Sequence, residues 1–200
     1  MHGLSLFFAA ALAVVASATP TVKEATPAKR GYDNCLSAAE ATVVANNFRA
    51  TIAEPFSASF VRSTFTVDFE DFSDSVNELI NAGCPTGNAT LGAATFPSRK
   101  AFITGQGGQA PILFTILDIW YNCNTVIMRW TTPYPGSGPT ALATSAQEEV
   151  TGIIVLEVVC NERNDGSAAT NPWLINRTYS EFNSGAWLYD LGIFTPTCSA

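Results

Sequence analysis

The sequence predicts a secreted α+β domain, helices first and an antiparallel sheet after them, and three observations lead there. Residues 112–132 (ILFTILDIWYNCNTVIMRWTT) place two Ile/Leu/Phe/Trp/Val/Thr-rich runs on either side of Asn122-Cys123-Asn124, the spacing of a β-hairpin whose turn is fastened elsewhere through a cysteine. Helix-periodic sequence precedes that hairpin and more strand-like runs follow it, an order that favours helices on one face of an antiparallel sheet. The chain also opens on a stretch with the features of a secretion signal. Both faces of each hairpin run carry large apolar side chains, so the pair is expected to be covered on both sides or curled around a packed or hollow interior.

Residues 1–18 carry an apolar core from Leu4 to Val15 and end in Ala16-Ser17-Ala18. Small residues at alternate positions suit a signal peptidase cutting after Ala18, and the apolar run is too short to span a bilayer. Residues 19–30 are rich in Thr, Pro, Ala and Lys and end in Lys29-Arg30. They read as a propeptide or linker whose dibasic end is an accessible processing site, or as a solvated tail. The domain proper is then residues 31–200, of a size suited to one core.

Processing removes three positive charges (Lys23, Lys29, Arg30) and one negative (Glu24), which carries the formal net charge from −7 to −9. Such a surface repels phosphate, so neither nucleic acid nor an anionic membrane is an expected partner. His2 is the only histidine and leaves with the signal peptide. Histidine-based triads, histidine metal ligands and an imidazole base are therefore excluded, and no metal or cofactor is implied. Lys100 is the only lysine left; beside Arg99 it reads as a solvated helix residue rather than a Schiff-base lysine.

The five cysteines, Cys35, Cys84, Cys123, Cys160 and Cys198, lack zinc-site spacing. Outside the cell they imply two bridges and a leftover: a reactive thiol, an inert buried one or an intermolecular link. The sequons at Asn88 and Asn176 fit a glycoprotein.

In chain order, Ser37 followed by Glu40 is a capping box, and Leu36, Val43 or Val44, Phe48 and Ile52 share one face of the helix it opens. A second helix is read near residues 59–65. Phe65, Phe69 and Phe72 recur at helical intervals, and Ser73 or Ser75 caps a short helix through Val76, Leu79 and Ile80. Asp68, Glu70, Asp71 and Asp74 crowd this stretch, either as a hard-cation or acid/base site or as helix caps with a solvated face. Residues 98–105 form a third short helix. After the hairpin, residues 133–146 read as a loop, 149–160 as a strand, 161–172 as a polar turn and 173–184 as a last strand.

Several motifs together resemble a family of secreted fungal proteins classed as nuclear-transport-factor-two-like. They are Cys35-Leu36, the Asp68-Phe69 to Val76-Asn77 stretch, Leu91-Gly92 with Thr95-Phe96 and Ser98, Asn122-Cys123-Asn124, and Glu181-Phe182-Asn183-Ser184 with Ala186-Trp187-Leu188. The likeness spans nearly all of residues 31–193. It implies a cone of curved antiparallel sheet, closed by N-terminal helices, with a cavity at the wide end. It also implies a Cys35–Cys123 disulfide and leaves Cys84, Cys160 and Cys198 unassigned.

That fold class holds both enzymes and binding proteins. An isomerase-like site needs a carboxylate base facing an acid or a Tyr across an apolar pocket. The candidates are Asp68, Asp71, Asp118, Glu157 and Glu181, with Tyr121 or Tyr179. Strand alternation places Tyr179, Glu181 and Asn183 on one face, and Phe114, Ile116, Asp118 and Trp120 on one face. An ion pair of Arg129 with one of the acids is the plainer account of charges within apolar runs. Trp120, Trp130, Trp187, Phe69 and Phe72 are candidate pocket linings, or ordinary core. Three functions follow: a secreted, non-catalytic module binding a small hydrophobic molecule, a cavity lyase or isomerase with an Asp/Glu base, or an extracellular protein acting through its surface.

Overall fold

The computed structural model describes residues 35–133, 135, 147–162 and 171–193. The expected signal peptide (1–18), the dibasic segment (19–30), Cys198 and most of the 133–146 loop lie outside the described residues.

Helix α1 (Ala38–Ala53) begins on the expected capping box: Glu40 N–H donates to Ser37 Oγ and Ser37 N–H to the Glu40 carboxylate. Its buried face is Ala41, Val44, Ala45, Phe48 and Thr51, with Val43 turned out. Helix α2 (Ala58–Thr64) is capped by Ser57 and runs straight into strand β1 (Phe65–Phe72). Then follow α3 (Asp74–Ile80), β2 (Ala94–Phe96), α4 (Arg99–Gln106), β3 (Thr115–Tyr121), β4 (Thr125–Thr132), β5 (Val150–Cys160), β6 (Trp173–Phe182) and α5 (Ser184–Asp190). Ser73 caps α3 and Ser98 caps α4, each accepting from the backbone N–H three residues on.

Three expectations need correction. The Phe65–Phe72 stretch is a strand: Phe69 and Asp71 point inward, Glu70 and Phe72 outward. Aromatic residues on both faces, with a carboxylate at an inward position, hide the period of two and imitate a helix. The sheet, in the order β2-β1-β6-β5-β4-β3, is mixed rather than wholly antiparallel, because β1 lies parallel to β6. It is open, with β2 and β3 at its edges, and fits the NTF2-like cone. Third, a bulge at Leu117 in β3 breaks the alternation, pairing Ile116 with Trp130 but Asp118 with Arg129. Phe114 and Ile116 join the core while Asp118 and Trp120 face out. The outer side of the hairpin is therefore uncovered, with Leu117 and Trp120 exposed.

The inner face is packed by α1 against β3, β4 and β6, and by α2 and α4 against β1. Phe65 lies at the centre of a ring cluster with Phe48, Phe69 and Phe102, at 6.2, 4.3 and 5.1 Å. A second cluster stacks Phe114 on Trp130 at 4.4 Å, with Phe182 edge-on to Trp130 and in contact with Trp187. The Cys35–Cys123 disulfide ties the start of α1 to the β3–β4 turn, where Leu36 N–H donates to Cys123 O.

Candidate functional site

Sheet register sorts the candidate residues. On the inner face Asp71, Thr178, Leu156 and Val126 are successive cross-strand partners, all buried, and the row ends at Tyr121 on the edge strand. Asp71 is the only one of the five candidate carboxylates that faces inward. Only 4% of it is exposed, and its Oδ1 has no hydrogen-bond partner among the described residues. Burial pushes its pKa up to about 7, and the nearby Glu181 charge pushes the same way. At neutral pH it is thus poised between a carboxylic acid that donates and a carboxylate that accepts.

The other acids work outside. Glu181 takes three hydrogen bonds at the start of α3: Asp74 N–H at 2.9 Å, Ser75 N–H at 3.0 Å and Ser75 Oγ–H at 2.6 Å. Its carboxylate sits where backbone N–H groups and the helix dipole favour negative charge. Asp68 is exposed. Asp118 lies 4.0 Å from Arg129, the expected ion pair, with both side chains about half exposed. Arg177 joins Glu70 (2.6 Å) and Glu157 (3.9 Å) and covers the Phe72 ring. Neither tyrosine adjoins Asp71: Tyr179 stacks on Phe72 on the outer face, and Tyr121 is four strand spacings away, about 19 Å along the sheet.

Of the five candidate linings, Phe69, Trp130 and Trp187 belong to the inner side. Phe72 and Trp120 do not line it, because strand parity and the Leu117 bulge turn them outward. Sequence reasoning passed over Thr178. It sits within the Asn176 sequon, yet its Oγ1 is buried and unpartnered opposite Asp71. It also passed over Asp190, a fully buried acid that takes Glu148 N–H at 2.7 Å and ties α5 to the approach to β5; burial raises its pKa.

Among the described residues no group of His, Cys, Asp and Glu could hold a metal ion, and no helix is long and apolar enough to cross a membrane. A hollow of about 130 Å³ opens between α1 and Trp173, and another of about 370 Å³ near Pro55 and Phe60; neither includes Asp71.

Fold and topology define an NTF2-like domain, and the chain belongs to that family, whose model matches residues 34–194. No curated protein matches it in sequence. Among solved structures it is similar to a SnoaL-like polyketide cyclase candidate from Jannaschia sp. CCS1, at 9% identity and a TM-score of 0.51, covering 82% of this chain and 98% of that one. A polyketide cyclase candidate from Bacillus cereus ATCC 10987 has 15% identity and a TM-score of 0.48, covering 80% and 87%. IdmH from Streptomyces antibioticus has 12% and 0.48, covering 76% and 98%. Identities this low speak to the fold alone.

Proposed function

We propose that this domain works outside the cell as a binding module, holding a small hydrophobic molecule against the inner face of the sheet, with Asp71 meeting the one polar oxygen of that molecule. The observation that carries this reading is the inward carboxyl of Asp71 on the buried face of the sheet, with one oxygen left without a partner among the described residues beside a second such group, the Thr178 hydroxyl. Binding sites of this kind are mostly apolar with a few placed polar groups. A carboxyl left unsatisfied costs stability, which favours a ligand that supplies the missing partner. In its protonated form Asp71 donates to a carbonyl or hydroxyl oxygen; in its ionised form it accepts from a hydroxyl.

The pKa near neutrality also supports a second reading, a lyase or isomerase in which Asp71 removes a proton from carbon next to a carbonyl and returns it elsewhere. The first reading is preferred because neither candidate tyrosine, Tyr121 or Tyr179, adjoins Asp71 to hold the developing oxyanion.

Native mass spectrometry of the secreted protein, with solvent extraction, tests the binding reading. A co-purifying apolar molecule, or saturable binding of an apolar dye weakened at least tenfold by Asp71→Asn, supports it. An empty protein that binds no dye, or dye binding indifferent to Asp71→Asn, overturns it. Turnover of a cyclic ketone that disappears in Asp71→Asn would select the enzyme instead.

A further inference from the structure

We propose that the hollow between α1 and the start of β6 is a binding site separate from the inner face of the sheet, and that it takes the ring of a phenol. Ala39, Val43 and Val44 of α1 form one wall, and Pro172 and Trp173 the other. The volume, about 130 Å³, is close to that of a cavity of about 150 Å³ that takes benzene, so a single ring fits. The rim is fixed before any ligand arrives. Asn161 N–H donates to Pro172 O and Asn161 Nδ2 to Asn171 O, both at 2.8 Å. Asn171 Nδ2 in turn donates to Ser63 O, and Asn47 Nδ2 to Asn171 Oδ1. A pre-formed apolar hollow with a few placed polar groups is the usual form of a small-molecule site.

Two polar groups, one on each wall, select a hydroxyl. Trp173 is only 4% exposed, and its Nε1–H has no acceptor among the described residues. Glu40, which also lines the hollow, takes Ser37 Oγ–H at 2.7 Å and Ser37 N–H at 2.8 Å on Oε2, which leaves Oε1 to accept another donor. The Ser37 hydroxyl, and after it the Ser37 N–H, hold the Glu40 carboxyl below its ordinary pKa, and the Trp173 indole acts in the same direction. An ionised acceptor and an unused donor thus face one hollow. A ligand oxygen that accepts from Trp173 Nε1–H and donates its own O–H to Glu40 Oε1 satisfies both. An ammonium pairs with Glu40 but has no lone pair for the indole, and Glu40 repels an anion. The indole of Trp173 and the apolar side chains around it favour an aromatic ring as the bearer of the hydroxyl.

Titration of the isotope-labelled full secreted protein with p-cresol, followed by NMR on the Trp173 indole N–H, tests this; Trp173→Phe serves to assign the signal. The signal should shift and saturate with a dissociation constant on the order of 1 mM. Toluene, which lacks the hydroxyl, should bind at least tenfold more weakly. Ala39→Leu, at an exposed helical position on the wall, fills the hollow and should weaken p-cresol at least tenfold with an unchanged circular dichroism spectrum. Asp71→Asn should leave p-cresol binding as it is, which separates this site from the inner face. N-acetyltyrosinamide tells the source of the ring: binding as tight as that of p-cresol assigns the site to a tyrosine side chain of a partner, and exclusion assigns it to a free phenol. A Trp173 signal unmoved by p-cresol up to about 10 mM, an equal response to toluene, or binding indifferent to Ala39→Leu overturns the proposal. So does p-cresol binding that disappears in Asp71→Asn, which would put the phenol on the inner face instead.

Discussion

Asp71 and Thr178 are register partners across the parallel pair β1–β6, both buried, and neither Asp71 Oδ1 nor Thr178 Oγ1 finds a hydrogen-bond partner among the described residues. Two adjacent unsatisfied oxygens on the buried face of a sheet are costly for a folded chain to keep, and that cost has a measurable signature in pH.

The folded-state pKa of Asp71, about 7, stands above the ordinary carboxyl value of 3.8. Between those values the unfolded chain has lost the proton that the folded chain still binds, so stability falls as pH rises. The contribution lost between pH 4 and 7 is roughly 4 kcal/mol. Denaturation midpoints of the parent and Asp71→Asn, followed across this range, should differ by an amount that grows with pH in favour of the variant. A constant difference would remove Asp71 as the group responsible.

Glu181 acts on the same group from outside. Glu181→Ala removes the acceptor for two backbone N–H groups and one hydroxyl at the start of α3. It should destabilise the protein by about 1–3 kcal/mol. Because the Glu181 charge helps raise the Asp71 pKa, Glu181→Gln should lower it. Titration of the Asp71 carboxyl by NMR reads this directly.

The 88-residue separation between Cys35 and Cys123 makes their bridge a large constraint on the unfolded chain. By loop-closure entropy it contributes about 4–5 kcal/mol. Cys35→Ser and Cys123→Ser should each lose most of that, and the double variant no more than either single one, in chemical denaturation.

The sequons should behave differently. Asn88 is exposed in the segment between α3 and β2. Asn176 lies within β6, with its Nδ2 donating to Thr66 Oγ1 and Thr178 buried two residues on. One glycan, at Asn88, is expected by intact mass before and after enzymatic deglycosylation; Asn88→Gln should abolish the shift and Asn176→Gln leave it.

Gly152 has no room for a methyl group: a Cβ there would stand 2.7 Å from Trp130 Nε1, from Phe182 Cβ and from Glu181 O. Gly152→Ala should cost about 1–3 kcal/mol, read as a lowered thermal midpoint.

What the sequence disclosed was local. Ser37 and Glu40 announce α1 because a capping box is complete within four residues, and the hairpin is legible because its turn and both flanks are contiguous. β1 was obscured by Phe65, Phe69 and Phe72, whose spacing obeys a helix while their burial obeys a strand. α5 was merged into the preceding strand because Asn183, which caps it, continues the alternation of β6. The parallel pairing of β1 with β6 joins residues more than 100 positions apart, as with Glu70 and Arg177. No local pattern encodes it, and until it is known Asp71 cannot be told from Asp68 or Glu181. Thr178 carried no signal beyond its place in the Asn176 sequon.

The bulge at Leu117 has a consequence for the protein in solution. β3 is the edge of an open sheet, and an unbroken edge with an outward Trp120 would offer other chains a template of free N–H and C=O groups on which to add strands. One extra residue interrupts that template near its middle, and the neighbouring Asp118 places a charge at the gap. The irregularity thus guards the chain against growing into fibrils through its own edge.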